Sequence, residues 1–307
     1  MIKQKKILEA AARFNYTLNP YAISLRRKAS KTIAVILPEV ADSFFSLTIN
    51  GIQFVAERKG YHVLIYLSHD KFLNEKSIVG ECGSGRVEGV LISVTSETTL
   101  PDHIINLQAE NIPIVFFDRE FEGLPVAKVL TNDFESGYLA ASHIIMNGCT
   151  NPVFLSISSS LSICNKRAEG FKEALREKKI ITSNEPVIIC GGTNVKVYSQ
   201  IKNLLTGKNR PNGIVASVER LAIIVYLVSH EIGIAIPNEL KVVEFSTMET
   251  APILNPPLTT ITQPAFEIGK TAAELLFKGI EKKAYDLAGE MVVLPSVLIK
   301  RTSSSAS

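Results

Sequence analysis

At 307 residues, with 46% hydrophobic, 21% charged and 7% aromatic residues, the chain has ordinary globular composition and enough length for two cores, which excludes a disordered chain or a fibre. The net charge of +3 is unevenly spread: residues 1 to 31 hold eight lysines and arginines against Glu9 alone, a net of +7, and the remaining 276 residues hold 25 basic and 29 acidic side chains, a net of −4. A basic head on a mildly acidic body is the pattern of a protein whose tip meets a polyanion, with a solvated lysine-rich terminus as the alternative.

Along the chain, Ile7, Leu8, Ala11 and Phe14 form the apolar face of a short helix that needs a partner surface at this length. Asn19 then stands as an N-cap with Pro20 at the first helical position, opening a second short helix from Tyr21 to Arg27. After Lys31 short apolar runs alternate with amphipathic stretches. Strands are expected at Thr32 to Leu37, His62 to Leu67, Glu88 to Val94 and Ile114 to Phe117, with helices at Phe44 to Lys59, Leu73 to Glu81 and Asp102 to Glu110 between them. The alternation resumes beyond Val126. Strands fall at Val153 to Ile157, Val187 to Cys190, Gly213 to Ala216 and Lys241 to Phe245, and helices at Asn165 to Lys178, Val195 to Leu205 and Glu219 to Glu231. A proline-marked extended segment, Pro256 to Ile261, and a helix from Phe266 to Ile280 follow, and Ser303 to Ser307 reads as a disordered tail. The pattern predicts an α/β fold of two doubly wound parallel-sheet lobes, with a ligand cleft at the carboxyl ends of the strands and a short helical segment in front.

The longest apolar runs are strand-length, far short of the ~20 residues of a membrane helix. No signal-peptide pattern follows the N-terminal lysines, and Cys82, Cys149, Cys164 and Cys190 form no C-x-x-C pair. A cytoplasmic location, no membrane partner, no metal and no cofactor are therefore expected. The run Cys82 to Gly89 lies after a helix and before a strand, the reverse of a phosphate cradle, and the five histidines lack metal-ligand spacing. No catalytic residue is assigned, and an enzyme is not expected.

An ordered set of motifs covers nearly the whole chain: the helix ending at Asn15 and Tyr16, then Asn19, Pro20, Ala22, Ser24 and Leu25, then Ser30 to Val35, Arg86 to Gly89, Phe117 to Arg119, Arg167 to Phe171, and Pro257 to Ile261 with Gln263 and Pro264. In these motifs the sequence resembles the LacI/GalR family of ligand-responsive bacterial transcription regulators, whose body has the periplasmic-binding-protein-like type I fold. The resemblance implies that residues 1–30 are the remnant of a DNA-binding headpiece with its hinge helix. It implies a first lobe of residues 31–131 with 262–290 and a second of residues 132–261 with 291–302. The family's headpiece has two further helices upstream, including the one that enters the major groove, so either that element is lost or the true start lies upstream.

Carried over residue by residue, the resemblance makes Leu25 a wedge between base steps in the minor groove, with Asn19, Tyr21, Ser24, Arg26 and Arg27 as the other DNA-facing candidates. A flexible basic linker is the alternative reading of that stretch. Arg167 matches the family's effector-binding arginine and Asp118 its pocket aspartate, the alternatives being a surface arginine and a turn acid. Gln263, Asp42 and Phe44 join them. Ser246 stands where the family commonly has an aspartate, which thins the polar grip on the second lobe. The expected function is a ligand-responsive regulator, a repressor, with a small polar effector such as a sugar in the cleft. A homodimer along the faces of Phe44 to Lys59 and Leu73 to Glu81 is expected, with weak operator binding by the chain as given. A small-molecule-binding protein of the same fold that has lost specific DNA binding is the alternative.

Overall fold

The computed structural model describes residues 30–183, 185–282 and 287–305. The DNA-facing candidates Asn19, Tyr21, Ser24, Leu25, Arg26 and Arg27 lie outside the described residues. The elements run β1 (Thr32–Leu37), α1 (Ser43–Lys59), β2 (His62–Leu67), α2 (Phe72–Cys82), β3 (Val90–Ile92), α3 (Asp102–Ala109), β4 (Ile114–Phe117), β5 (Ala127–Thr131) and α4 (Asp133–Met146). They continue with β6 (Pro152–Ser156), α5 (Ser162–Glu177), β7 (Val187–Ile189), α6 (Asn194–Thr206), β8 (Gly213–Ala216), α7 (Glu219–Ile232) and β9 (Lys241–Phe245). β10 (Thr259–Thr262), α8 (Ala265–Glu281), β11 (Met291–Leu294) and β12 (Val297–Ile299) complete the order.

Two six-stranded sheets result, ordered β11-β5-β4-β3-β1-β2 and β12-β10-β9-β8-β6-β7. The second repeats the first strand for strand. All pairs are parallel except β10 with β12. Central strands such as β1 are apolar throughout because helices cover both faces, and Ile33 to Leu37 are fully buried. Edge strand β2 instead keeps Leu64 and Ile65 exposed. The polypeptide crosses between lobes after β5, after β10 and after β11. The first and third crossings are tied together, since Asn132 Oδ1 accepts the Ser296 amide at 2.8 Å.

Three expectations change. Nothing was assigned to residues 127–146, yet they form β5 and α4. The buried face of α4 is made of Ser136, Gly137, Ala140, Ala141, Ser142 and His143, too small and polar to give an apolar periodicity. Residues 291–294 pair with β5 in the first sheet rather than belonging to the second lobe, because the last crossing comes after Leu294. The tail is ordered through Ser304: Thr302–Ser304 form a turn of 3-10 helix with Ser303 and Ser304 fully buried. The apolar face of α1 packs within its own lobe against α8, with Phe54 and Phe266 ring centroids 5.9 Å apart and both rings partly exposed. Leu73 on α2 remains exposed.

Candidate functional site

The carboxyl ends of β1, β4, β8 and β9 converge between the lobes. Beyond β1, Asp42 caps α1: its Oδ1 accepts the Phe44 amide at 2.9 Å, which turns the chain so that Phe44 and Phe45 enter the first helical turn. Their rings meet edge to face at 5.3 Å. Beyond β4, Asp118 has φ +60 and the Arg119 amide bonds back to the Phe117 carbonyl at 2.7 Å. This three-residue turn is strained for any residue with a side chain, and it aims consecutive Asp118 and Arg119 toward the cleft. Arg119 Nη1 donates to Asp70 Oδ1 at 2.9 Å.

From the second lobe, Arg167 projects from the second turn of α5 and is fully buried. Its Nε donates to Asp133 Oδ1 at 2.7 Å, its Nη1 to the Ser217 carbonyl at 2.9 Å, and its Cζ lies 4.2 Å from the Phe245 ring centroid. Ser246 follows β9, and its hydroxyl donates to Glu219 Oε1 at 2.7 Å. Glu219 also accepts the Ser43 hydroxyl, from the opposite lobe, at Oε1 and the Ser43 amide at Oε2, the latter at 3.4 Å. Further contacts span the cleft: Ser43 Oγ with Thr247 Oγ1 at 2.6 Å, Ser160 Oγ to the Ser96 carbonyl at 2.7 Å, and Lys166 Nζ to Glu120 Oε1 at 2.9 Å.

The inner end of the cleft is thus nearly shut, with a cavity of about 30 Å³, the room of one water. All six candidates from the sequence, Asp42, Phe44, Asp118, Arg167, Ser246 and Gln263, line it together. So do Phe45, Arg119, Ile163, Ser217, Val218 and Phe245. Asp42, Phe45, Arg119 and Val218 also line an outer cavity of about 490 Å³, within the range of small-molecule sites, to which Gly192, His69 and Arg220 contribute. A larger cavity of about 750 Å³ lies at the amino ends of the first-lobe strands, lined by residues such as Pro113, Val126 and Gly279, far from this convergence of charge.

Electrostatics divides the site. Burial, with Glu219 across the cleft next in weight, pushes the Asp42 carboxyl up to about 7. Burial also pushes Asp118 up to about 6, against the pull of Arg119 and Arg167. On the donor side, Arg167 Nη2, Arg119 Nε, Gln263 Nε2 and Ser217 Oγ are buried without a hydrogen-bond partner among the described residues. Acceptors that can carry a proton thus face donors with nothing to bind, and a polyhydroxylated molecule supplies both complements.

Sequence reasoning missed Glu219 and Arg119. Arg119 was readable from its place directly after Asp118, whereas the reach of Glu219 from α7 to Ser246 and Ser43 is a tertiary contact with no sequence signal. It returns to the second lobe the carboxylate that Ser246 lacks. Among the described residues no group of three His, Cys, Asp or Glu side chains is placed to hold a metal, and no helix is long and apolar enough to cross a membrane.

The periplasmic binding protein-like domain family matches residues 141–304, more than half of the sequence. The chain belongs to that family. Within it, the relatives are LacI/GalR regulators, and so is this chain. The HTH-type transcriptional repressor PurR of Vibrio vulnificus (strain CMCP6) is 26% identical over 299 residues, spanning 96% of this chain and 89% of the relative. The PurR repressor of Vibrio atlanticus (strain LGP32) is 29% identical over 298 residues, spanning 94% and 88%. Among solved structures, a LacI family transcriptional regulator from Enterococcus faecium with bound ribose superposes with a TM-score of 0.78 at 26% identity, spanning 90% of this chain and 99% of that one. The expected fold, two parallel-dominated α/β lobes, is the fold of these LacI/GalR relatives.

Proposed function

We propose that this LacI/GalR chain is a transcriptional repressor that takes a small polyhydroxylated effector, a sugar, between its lobes, and contacts DNA through residues 1–30. The observation that carries the effector half is the interlobe cavity itself, where unpartnered donors on Arg167, Arg119 and Gln263 face the carboxyls of Asp42 and Asp118. Opening the lobes admits the ligand, closure over it completes its hydrogen bonds, and the altered lobe angle changes how the N-terminal segments of a homodimer are presented to DNA. The protein acts in the cytoplasm and performs no catalysis. Support for the DNA half is the charge of +7 on residues 1 to 31 and the repressor relatives.

The effector half is tested by thermal shift with D-ribose, D-glucose, cellobiose and adenosine. A ligand at 100 times its Kd adds about 2.7 kcal/mol and raises the melting temperature by a few degrees. Gln263→Ala should reduce or remove that shift while the variant stays folded, since the buried Gln263 amide nitrogen makes no hydrogen bond among the described residues. A shift that survives Gln263→Ala and Asp118→Asn alike would place the ligand elsewhere. The DNA half is tested by duplex binding between 50 and 200 mM salt, where several phosphate contacts should cost at least about tenfold, and deletion of residues 1–30 should abolish binding.

A further inference from the structure

Among the contacts that hold the cleft shut, one is built unlike the rest. Ser43 is the first residue of α1 and Glu219 the first residue of α7, so two helix amino ends face each other across the cleft with a single carboxylate between them. Glu219 accepts from the Ser43 hydroxyl and amide on one side and from the Ser246 hydroxyl on the other, and Ser43 also meets Thr247. A bound molecule would bridge the lobes in the same manner. Here a side chain of the protein does so, leaving about 30 Å³ at the inner end of the cleft beside the outer cavity of about 490 Å³, which residues of both lobes also line.

We propose that Glu219 is a built-in cross-lobe ligand: it closes the cleft when no effector is present, an effector must displace it to enter, and closure takes up protons. The displacement rests on the cleft being the effector site; the latch and its pH dependence do not. The Ser160–Ser96 and Lys166–Glu120 contacts lie elsewhere along the cleft, so Glu219 and Ser43 are the pair that seals it beside the candidate site.

Proton uptake follows from what the latch places beside Asp42. Closing the lobes sets Asp42 opposite Glu219 of α7 and buries it near Asp118 at the end of β4 and Glu39 in its own loop. Glu244 of β9 faces the same cluster. The cations lining these cavities are Arg119 and Arg167, with Lys71 and Arg220 farther out and His69 on the same rim. Arg167 is engaged by Asp133 and Arg119 by Asp70, so neither is free to neutralise Asp42. In the closed form the Asp42 carboxyl titrates near 7; rehydrated in an open cleft it returns toward its ordinary 3.8. Raising the pH therefore ionises the open form first, and the open-to-closed ratio climbs by up to about tenfold per pH unit until the closed form also ionises near neutrality, after which it levels off. Asp118, raised in the closed form as well, adds in the same direction.

The test is small-angle scattering of the full chain, free of ligand, at pH 5.5 and 8.0. Wild type should be compact at pH 5.5 and measurably expanded at pH 8.0, a shift of at least about tenfold in the open fraction. Glu219→Ala should be expanded at both. Glu219→Gln, which keeps an oxygen for the Ser43 and Ser246 hydroxyls, should be compact at pH 5.5 and expand less than wild type at pH 8.0. Asp42→Asn, which keeps the cap on the Phe44 amide, should also expand less than wild type at pH 8.0, with Asp118 left to titrate. Far-UV circular dichroism and melting establish that each variant is folded. A Glu219→Ala profile identical to wild type at both pH values would overturn the latch, and an Asp42→Asn protein that expands as much as wild type on raising the pH would overturn the proton uptake at Asp42. No effector enters this experiment, so it stands whether or not any sugar binds.

Discussion

Arg167 and Asp133 form an ion pair inside the second lobe, Nε to Oδ1 at 2.7 Å, with both side chains almost wholly out of water. The family-matched effector arginine is therefore also a structural group. Its Nε and Nη1 are committed to Asp133 and to the Ser217 carbonyl, and only Nη2 is left for a ligand. Removing one member of such a pair strands the other charge in the interior. Arg167→Ala should destabilise the protein by about 3–5 kcal/mol, and Arg167→Met combined with Asp133→Asn should recover at least half of that. Urea unfolding measures both. An Arg167→Ala variant as stable as wild type would show that Asp133 finds other solvation, and only then could its ligand-binding loss be read as a lost contact.

The two lobes share a packing device that the sequence barely advertises. In the first, a Cβ on Gly51 of α1 would lie 2.1 Å from the Phe266 carbonyl oxygen, and one on Gly269 of α8 would lie 2.0 Å from that of Thr48. In the second, Gly137 of α4 meets the Arg167 carbonyl oxygen at 2.0 Å and Gly170 of α5 that of Phe134 at 1.9 Å. Each helix pair crosses backbone to backbone, with one glycine from each partner at the crossing. Gly170→Ala and Gly269→Ala should each cost about 3 kcal/mol or more, because the obstacle is main chain that cannot rotate away. Thermal melting checks this, with Gly80→Ala on exposed α2 as a control, where an added Cβ meets nothing within 4 Å.

That device explains where sequence reading succeeded and where it stopped. Strands β1, β4 and β8 fall on their expected residues because burial on both faces keeps their runs almost wholly apolar, while edge strand β2 and β9, which carries Lys241 and Glu244, were found by their β-branched and apolar residues. The α4 helix escaped because its buried face is glycine, alanine, serine and histidine. The six candidates of the cleft were legible through the family resemblance, and all but Arg167, in the second turn of α5, lie just past a strand or in a first helical turn, where a parallel sheet presents side chains to a ligand. Glu219 was not, since its significance lies in Ser43, 176 residues earlier, and only the closed lobes bring the two together.

The carboxyl terminus is part of the second core. Ser303 Oγ donates to the Val242 carbonyl at 2.7 Å and accepts the Thr259 amide at 2.8 Å. Ser304 Oγ donates to Thr259 Oγ1 at 2.6 Å and pairs with His143 Nε2 at 2.8 Å. Ending the chain at Arg301 removes these four bonds and exposes the ends of β9 and β10. At about 1 kcal/mol each the loss should be about 4 kcal/mol. Chemical denaturation of the shortened chain measures it, and an unchanged midpoint would mean that the terminal turn is an ornament on an already complete lobe.

Glu244 supplies a pH dependence of stability that is separable from the latch. It sits in the middle of the second sheet, fully buried between Val243 and Phe245, and neither of its oxygens makes a hydrogen bond among the described residues. Burial, reinforced by Glu219 and Asp42, raises its carboxyl well above the ordinary 4.5. The folded protein therefore holds Glu244 protonated where the unfolded chain has already released the proton. Below 4.5 both states are protonated and nothing is lost. As the pH rises above 4.5 the unfolded state gains by ionising, and stability falls by up to about 1.36 kcal/mol per pH unit until the folded carboxyl follows. Glu244→Gln, nearly isosteric with the protonated acid, cancels that slope. It should match wild type near pH 4.5 and exceed it increasingly as the pH rises toward 7.5. Asp42 and Asp118 carry slopes of the same sign and remain in the variant, so its stability still declines with pH, only less steeply. Denaturation at four pH values across that window decides the matter: parallel wild-type and Glu244→Gln curves would mean that Glu244 is ionised in the folded sheet and that a counter-charge reaches it.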